Sequence, residues 1–153
     1  MPVSAWASRR LMDAAAKLSP EELARDFRTS DGTVAATLAH IFAADQVWLD
    51  RIHGVPRAVF ISAEDQDFAT LQKAWPALLD RWKEWAAPLT DQQALADISF
   101  RYPSGNAWVQ TLWRIILHVV NHGTHHRRTV SGFLRAMGHT PPELDLMAYD
   151  QSL

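Results

Sequence analysis

The sequence contains no cysteine among its 153 residues. Disulfide bonds, thiolate metal ligands and a thiol nucleophile supplied by the protein itself are therefore excluded. Three familiar signatures are also missing: the G-x-S-x-G elbow of serine hydrolases, the phosphate-binding P-loop and the glycine fingerprint of dinucleotide-binding folds. The chemistries that depend on them are unsupported, and a thiol nucleophile would have to arrive as a cosubstrate.

Basic residues are neither in excess nor clustered. Fifteen Lys and Arg residues stand against seventeen Asp and Glu, and no basic cluster is longer than the pair Arg127-Arg128. Because nucleic-acid binding needs a positive surface, we expect no nucleic-acid partner. No stretch is long and apolar enough to span a bilayer, and the N-terminus lacks an apolar run behind a basic start. We therefore expect no membrane partner and a cytoplasmic location.

Helical periodicity dominates the rest. Hydrophobic residues make up 48% and charged residues 21% of the chain, which is typical of a globular protein, and we expect one domain over residues 1–153. Apolar residues recur at helical spacing in four long segments, at about residues 6–18, 33–52, 65–86 and 111–137, the third of which begins at Asp65 or Asp67. Ser19 and Glu22 form a capping-box pattern for a short turn between the first two. Asp45 and Asp50 are interpreted as charges on the solvent-facing side of the second long helix.

Two details of these segments stay open. Pro76 lies inside the third pattern, which predicts either a kink or a helix that begins only at Trp75-Pro76. Ile98–Tyr102 alternates apolar and polar residues before turn chemistry at 103–106, which favours a small hairpin. We expect Thr111 to cap the last helix, Gly138 to end it, and an extended tail to pack through Leu144, Leu146 and Met147. The predicted fold is all-α, an antiparallel four-helix bundle with room for a small β-hairpin before the last helix.

Four of the seven histidines lie in the last long helix. His122 and His126 are one turn apart on its core-facing side, while His118 and His125 fall further round. Two imidazoles at this spacing can ligate one metal ion, or they can be histidines satisfied by hydrogen bonds. His40, on the flank of the second long helix, is typical of a structural histidine when taken alone. If the two helices face each other, it completes a three-histidine set that suits Zn, Ni or a similar divalent ion.

Four stretches then resemble, in order, the DinB-like family of metal-binding four-helix bundles. The main stretch is His118-Val-Val-Asn-His-Gly-Thr-His-His-Arg127. The others are Thr37-Leu-Ala-His-Ile-Phe-Ala-Ala-Asp-Gln-Val-Trp-Leu49, Leu18-Ser-Pro-Glu-Glu-Leu23 and the tail Thr140-Pro-Pro-Glu-Leu-Asp-Leu146. The resemblance covers nearly the whole chain. It implies an antiparallel bundle, often a homodimer, that holds a divalent metal through His40, His122 and His126.

The resemblance also implies a range of functions. Relatives include metal-dependent transferases that use low-molecular-weight thiols such as bacillithiol, mycothiol or glutathione. Many relatives carry Gly-Gln after the His-Arg pair, whereas this chain has Arg128-Thr129, so the surroundings of the site and its substrate can differ. Our leading hypothesis is a metal-dependent enzyme of thiol S-transferase or hydrolase type acting on a small molecule. Residues that could shape its pocket are Trp108, Asn121, His125 and Thr129.

A rival hypothesis is a non-catalytic, metal-binding or stress-associated dimeric protein. The two differ at the metal: an enzyme keeps a coordination position open, whereas a structural site is closed by a fourth protein ligand. His118 and His125 are the candidates for that fourth ligand.

Overall fold

The protein is described by a computed structural model that covers residues 2–55, 67–102 and 104–153. Its four long helices are α1, α3, α4 and α6. The elements in chain order are α1 (Pro2–Ala15), α2 (Pro20–Leu23), α3 (Val34–Ile52), α4 (Phe68–Ala86), α5 (Asp91–Ala94), β1 (Asp97–Arg101), β2 (Ala107–Thr111), α6 (Leu112–Ala136) and α7 (Leu146–Asp150). The predicted four-helix bundle with a small hairpin is confirmed. In the part of the chain so described, no helix is long and apolar enough to cross a membrane.

Side-chain caps fix where the helices begin. The Thr33 hydroxyl accepts from the Ala36 N–H at 3.0 Å, and the Asp67 carboxylate accepts from the Thr70 N–H at 2.8 Å. The cap at Asp67 starts α4 well before Pro76, so a helix beginning at Trp75-Pro76 is wrong. Thr111 precedes α6 as predicted, but its side chain makes no capping bond. Its hydroxyl lies instead 3.1 Å from Asp97 Oδ1 across the hairpin.

The hydrophobic core lies between the four long helices, where each contributes an apolar stripe. α3 packs most extensively against α6 and also contacts α4 and β1. The fully buried core side chains include Leu11 on α1, Leu38 on α3, Trp75 on α4 and Leu134 on α6. Because its neighbours surround it, α3 buries residues on nearly every side.

This enclosure overturns one sequence prediction. Asp45 is not on a solvent-facing side: it is only 8% exposed. Its carboxylate accepts from Trp75 Nε1 at 3.3 Å, and its backbone carbonyl accepts from Trp82 Nε1 at 3.1 Å. The tryptophan stripe of α4 therefore provides both apolar contacts and two N–H donors. Asp50, predicted in the same way, is half-buried and accepts from the Gln46 amide at 3.0 Å.

The predicted hairpin is present, with β1 and β2 antiparallel and Phe100 opposite Trp108. Buried Phe100 packs edge-on against Trp48 at 5.3 Å between ring centroids, which fastens the hairpin to α3. The tail prediction is partly wrong. Leu144 packs against the core, but the Asp145 carboxylate caps α7 by accepting from the Ala148 N–H at 2.9 Å. The chain then turns as a short helix, which leaves Leu146 and Met147 58% and 65% exposed.

Candidate metal centre

Three histidines from two helices meet on one side of the bundle. His40 Nε2 on α3 lies 2.9 Å from His122 Nε2 on α6. The His126 ring centroid is 4.5 Å from each of the other two ring centroids. One ring nitrogen from each residue lies within 4.8 Å of those of the other two, so the three could hold one metal ion. We call these three residues the histidine triad.

The three histidines meet because α3 and α6 face each other, a pairing that the spacing of residues along one helix does not contain. His40 contacts His122 and His126, while Trp48, two turns further along α3, contacts His118 at 5.2 Å. Numbers that rise along α3 therefore match numbers that fall along α6, so these helices are antiparallel neighbours. The one-turn spacing of His122 and His126 then aims both rings at α3.

The electrostatics of the triad favour neutral rings. Burial, followed by the charges that His126, His40, His118 and His125 would carry, lowers the pKa of His122 to about 4. Burial also lowers the pKa values of His40 and His126, although the carboxylate of Asp31 opposes the shift at both. Since a metal ligand must be a neutral imidazole, three histidines that resist protonation near pH 7 suit cation binding.

Asp31, which lies just before α3, is a neighbour of the triad that helical periodicity does not predict. Its Oδ1 lies 3.0 Å from His126 Nδ1. That nitrogen is buried and lacks a well-aligned hydrogen bond, although the distance is short. A small rotation of the imidazole ring would align this pair as a hydrogen bond. The Thr37 hydroxyl, 3.1 Å from the Asp31 carbonyl oxygen, steadies the backbone of this turn.

His118 and His125 are exposed and flank the triad. The His118 ring packs against Trp48, with its centroid 5.8 Å from that of His122. His125 is 5.0 Å from His126 between centroids and forms a second group with Asp31 and His126 that could hold an ion. Neither is brought into the group formed by His40, His122 and His126.

The other residues expected near the pocket are more dispersed. Asn121 is exposed on α6, and Thr129 is half-buried with its hydroxyl 3.5 Å from the His125 carbonyl oxygen. Trp108 is 52% exposed on β2, where it contacts Tyr102 at 6.4 Å between centroids. The structure therefore gives Thr129 a place beside His125, whereas Trp108 belongs to the outer side of the hairpin.

Fold and site together define a class of protein: a helical bundle whose facing helices present three imidazoles that could hold a divalent metal ion. The comparison with protein families agrees with this class. The DinB family model matches residues 3–152, and the chain belongs to the DinB family.

Individual relatives are distant but cover most of the chain. Protein DinB of Bacillus subtilis (strain 168) is 20% identical over 150 residues, which covers 94% of this chain and 87% of that protein. YfiT from Bacillus subtilis, described as a probable metal-dependent hydrolase with an unusual four-helix bundle topology, superposes with a TM-score of 0.67 at 19% identity, covering 91% and 86% of the two chains. A DinB-like protein from Bacillus cereus ATCC 10987 superposes with a TM-score of 0.64 at 18% identity, covering 94% of this chain and 92% of that chain. These likenesses show the shared fold.

Proposed function

We propose that the protein is a metal-dependent enzyme that holds one divalent cation on His40, His122 and His126. The observation that carries the proposal is the 2.9 Å approach of two Nε2 atoms from different helices, with a third imidazole beside both. Three ring nitrogens within 4.8 Å of one another are close enough to ligate a single cation. Zn and Ni are the ions we propose first, since both accept nitrogen ligands readily.

The residues around the triad support this fit. Asp31 faces Nδ1 of His126, which leaves Nε2 of that ring for a metal. A carboxylate behind a ligating histidine fixes the orientation of the ring and increases its basicity. His118 packs on Trp48, and His125 lies in a separate group with Asp31 and His126, so neither is placed as a fourth ligand beside the triad. Three protein ligands would leave room for water or substrate, which is the arrangement of catalytic rather than structural sites.

When bound, a divalent ion would supply a Lewis acid that lowers the pKa of an adjacent water or thiol and polarises a substrate. The protein's own part is to hold three rings in fixed positions and to keep them unprotonated. We propose hydrolysis as the first reaction type, supported by the description of YfiT as a probable metal-dependent hydrolase. We keep thiol transfer as the second, in which a low-molecular-weight thiol is the cosubstrate because the chain has no cysteine.

Two further proposals accompany this function. We propose that the protein forms a homodimer, as the family resemblance implies, and that it acts in the cytoplasm. The alternative of a non-catalytic metal-binding protein predicts that His118 or His125 would close the site as a fourth ligand.

The first experiment is elemental analysis of tag-free protein, repeated on His40→Ala, His122→Ala and His126→Ala. We expect one divalent ion per chain in the parent and loss of most of it in each variant, because two imidazoles bind far more weakly than three. His118→Ala is the matched control, since it removes a histidine of the same helix that lies outside the triad. If His118→Ala loses the metal while His40→Ala keeps it, the assignment of ligands is wrong.

Turnover is tested separately. A panel of hydrolysable esters and amides, and of electrophiles with several biological thiols, is assayed with metal-loaded and chelator-treated protein. We expect a metal-dependent rate that each triad variant abolishes. No such rate across the panel, with metal present at full occupancy, would favour the non-catalytic alternative.

A further inference from the structure

Arg51, near the end of α3, is a buried cation held among aromatic rings. The residue is only 7% exposed. Its guanidinium carbon lies 4.6 Å from the ring centroid of Trp48, 4.9 Å from that of Phe100 and 5.0 Å from that of Tyr102. We call this arrangement the Arg51 cage. It joins α3 to the hairpin, because Phe100 belongs to β1 and Tyr102 follows it.

In the part of the chain that the structure describes, the guanidinium of the cage has no anionic partner. Its Nε is buried and has no hydrogen-bond acceptor. Among the described residues, no carboxylate oxygen lies within 4 Å of its nitrogens, whereas Arg9 and Arg81 both have such a partner. Aromatic faces attract a cation, but they do not replace the oxygen acceptor that the buried Nε–H requires. A buried donor without an acceptor costs free energy, which an anion bound beside it would recover.

A continuous series of ring contacts links the Arg51 cage to the histidine triad. The guanidinium touches Trp48, the Trp48 ring is 5.2 Å from His118, and the His118 ring is 5.8 Å from His122. His40 and Arg51 are eleven residues apart on α3, which places them on one face and on the order of 15 Å apart. Exposed His118 and partly exposed Tyr102 give this side of the bundle access to solvent.

We propose that Arg51 binds a carboxylate or phosphate group of a ligand whose other end reaches the histidine triad. The inference rests on the proposed function, since it names the class of substrate or cosubstrate: a small molecule with an anionic group remote from its reacting atom. A guanidinium recognises both anions by paired hydrogen bonds, and the surrounding rings raise the strength of those bonds by excluding water. Arg51 would then be a positioning residue for specificity.

The test measures binding of inorganic phosphate and, separately, of acetate by calorimetric titration at constant ionic strength. Metal-loaded wild-type protein and the variants Arg51→Gln and Arg51→Lys are compared. We expect saturable binding of at least one anion, weakened about tenfold or more in Arg51→Gln, because a charge-assisted hydrogen bond is lost. Arg51→Lys should be intermediate, since lysine keeps the charge but lacks the planar fork. The anion that binds tells which group the ligand carries.

The matched control is Arg114→Gln. Arg114 also lies against an indole ring, that of Trp113 at 5.3 Å, but it is exposed on α6. This variant should bind anions as wild type does. Circular dichroism and thermal unfolding check that Arg51→Gln remains folded, and Arg51→Lys provides a second variant in which the positive charge of the cage is retained.

The outcomes separate this inference from the proposed function. The titration is repeated on His122→Ala, in which metal should be lost while the Arg51 cage is untouched. Retained phosphate or acetate binding there, lost on Arg51→Gln, supports the anion site even if the metal analysis fails. If wild type shows no saturable binding, or Arg51→Gln binds as wild type does, the inference is overturned and Arg51 serves only to fasten the hairpin to α3.

Discussion

α3 carries two ionisable groups, buried Asp45 and half-buried His40, that differ in the groups that face them. Two tryptophans of α4 donate N–H bonds to Asp45, one to its carboxylate and one to its backbone carbonyl, so both groups are hydrogen-bonded within the protein. His40, little more than one turn earlier, faces the rings of His122 and His126. Each neutral ring carries one N–H and one lone pair, so the 2.9 Å contact between His40 Nε2 and His122 Nε2 is a hydrogen bond in one tautomer. The groups around Asp45 serve the fold alone, whereas the ring nitrogens of the triad could also hold a cation.

This difference teaches how to tell a structural polar group from a functional one in a helical bundle. Burial alone does not separate them, because Asp45 is more buried than any member of the triad. What separates them is the chemistry of the groups that face each other. Asp45 meets indole N–H donors, whereas the triad brings together three side chains that are all metal ligands, which indicates a site for a cation.

The largest effect is expected from Asp45→Asn, which tests whether the Asp45 site is truly structural. Burial raises the pKa of Asp45 to about 7, although the Arg127 charge and the Trp75 N–H oppose this. Since the folded state then holds its proton more tightly than the unfolded state, wild-type stability falls as pH rises from about 4 to about 7. Asparagine never ionises, so the variant should be more stable than wild type at pH 8 by about 2 to 4 kcal/mol.

Urea unfolding at pH 8 and at pH 4, with metal removed by a chelator from both proteins, measures this difference. The advantage of Asp45→Asn should vanish at pH 4, where the wild-type carboxyl is protonated in the folded state. Metal content of the untreated variant should equal that of wild type, since Asp45 lies outside the triad. A variant less stable than wild type at pH 8 would mean that the fold requires the charged carboxylate. The contrast between Asp45 and the histidine triad would then be wrong.

A smaller effect is expected from Asp31→Ala, which tests whether the triad depends on a supporting carboxylate. Asp31 faces His126 Nδ1 at 3.0 Å, and removal of such a partner typically weakens metal binding by about 10- to 100-fold. Competition with a chelator of known affinity measures the change. Asp31→Asn should lie between, because its amide oxygen can still accept from the ring.

The matched control for Asp31 is Asp50→Ala, which removes a half-buried carboxylate close to the other end of α3. Its metal affinity should equal that of wild type. If the metal affinity of Asp31→Ala also equals that of wild type, the contact between Asp31 and His126 does not support metal binding, and the triad holds its metal without it.

The sequence predicted the bundle and the helix boundaries because both follow from local chemistry. Apolar residues at helical spacing set the four long helices, and caps such as Thr33 and Asp67 set where they begin. The convergence of His40 with the residues of α6 required one more fact, the pairing of α3 with α6, which spacing along a single helix does not contain. The family resemblance was what implied it.

Asp45, Asp31 and Arg51 were missed for a related reason. The helical position of Asp45 is consistent with a solvent-facing charge until α4 is known to cover that side with Trp75 and Trp82. Asp31 reads as a turn residue, and only tertiary contact makes it a neighbour of His126. Arg51 lies in the last turn of a helix, where a basic residue is expected, so no local signal marked it as buried. Partners far apart in sequence decide the role of each.

The smallest effect sharpens the comparison at two adjacent residues, His126 and Arg127, which point to different helices. Arg127 is 5% exposed and lies against α1, with its Nη1 donating to the hydroxyls of Ser4 and Ser8, each at 3.2 Å. Its buried Nη1 thus has acceptors within the protein, as the Asp45 carboxyl has a donor. Ser8→Ala should lower the free energy of unfolding by about 1 kcal/mol, because a buried donor loses one acceptor.

Ser4→Ala should cost less than Ser8→Ala, since Ser4 is only half-buried and water can take its place as acceptor. Urea unfolding of the two variants side by side measures the difference, and metal analysis should give the wild-type content in both. Loss of metal on Ser8→Ala would show that the α1 side of α6 is coupled to the triad through Arg127. Groups that hold the fold together and groups that hold the metal could then not be separated, because Arg127 would contribute to both.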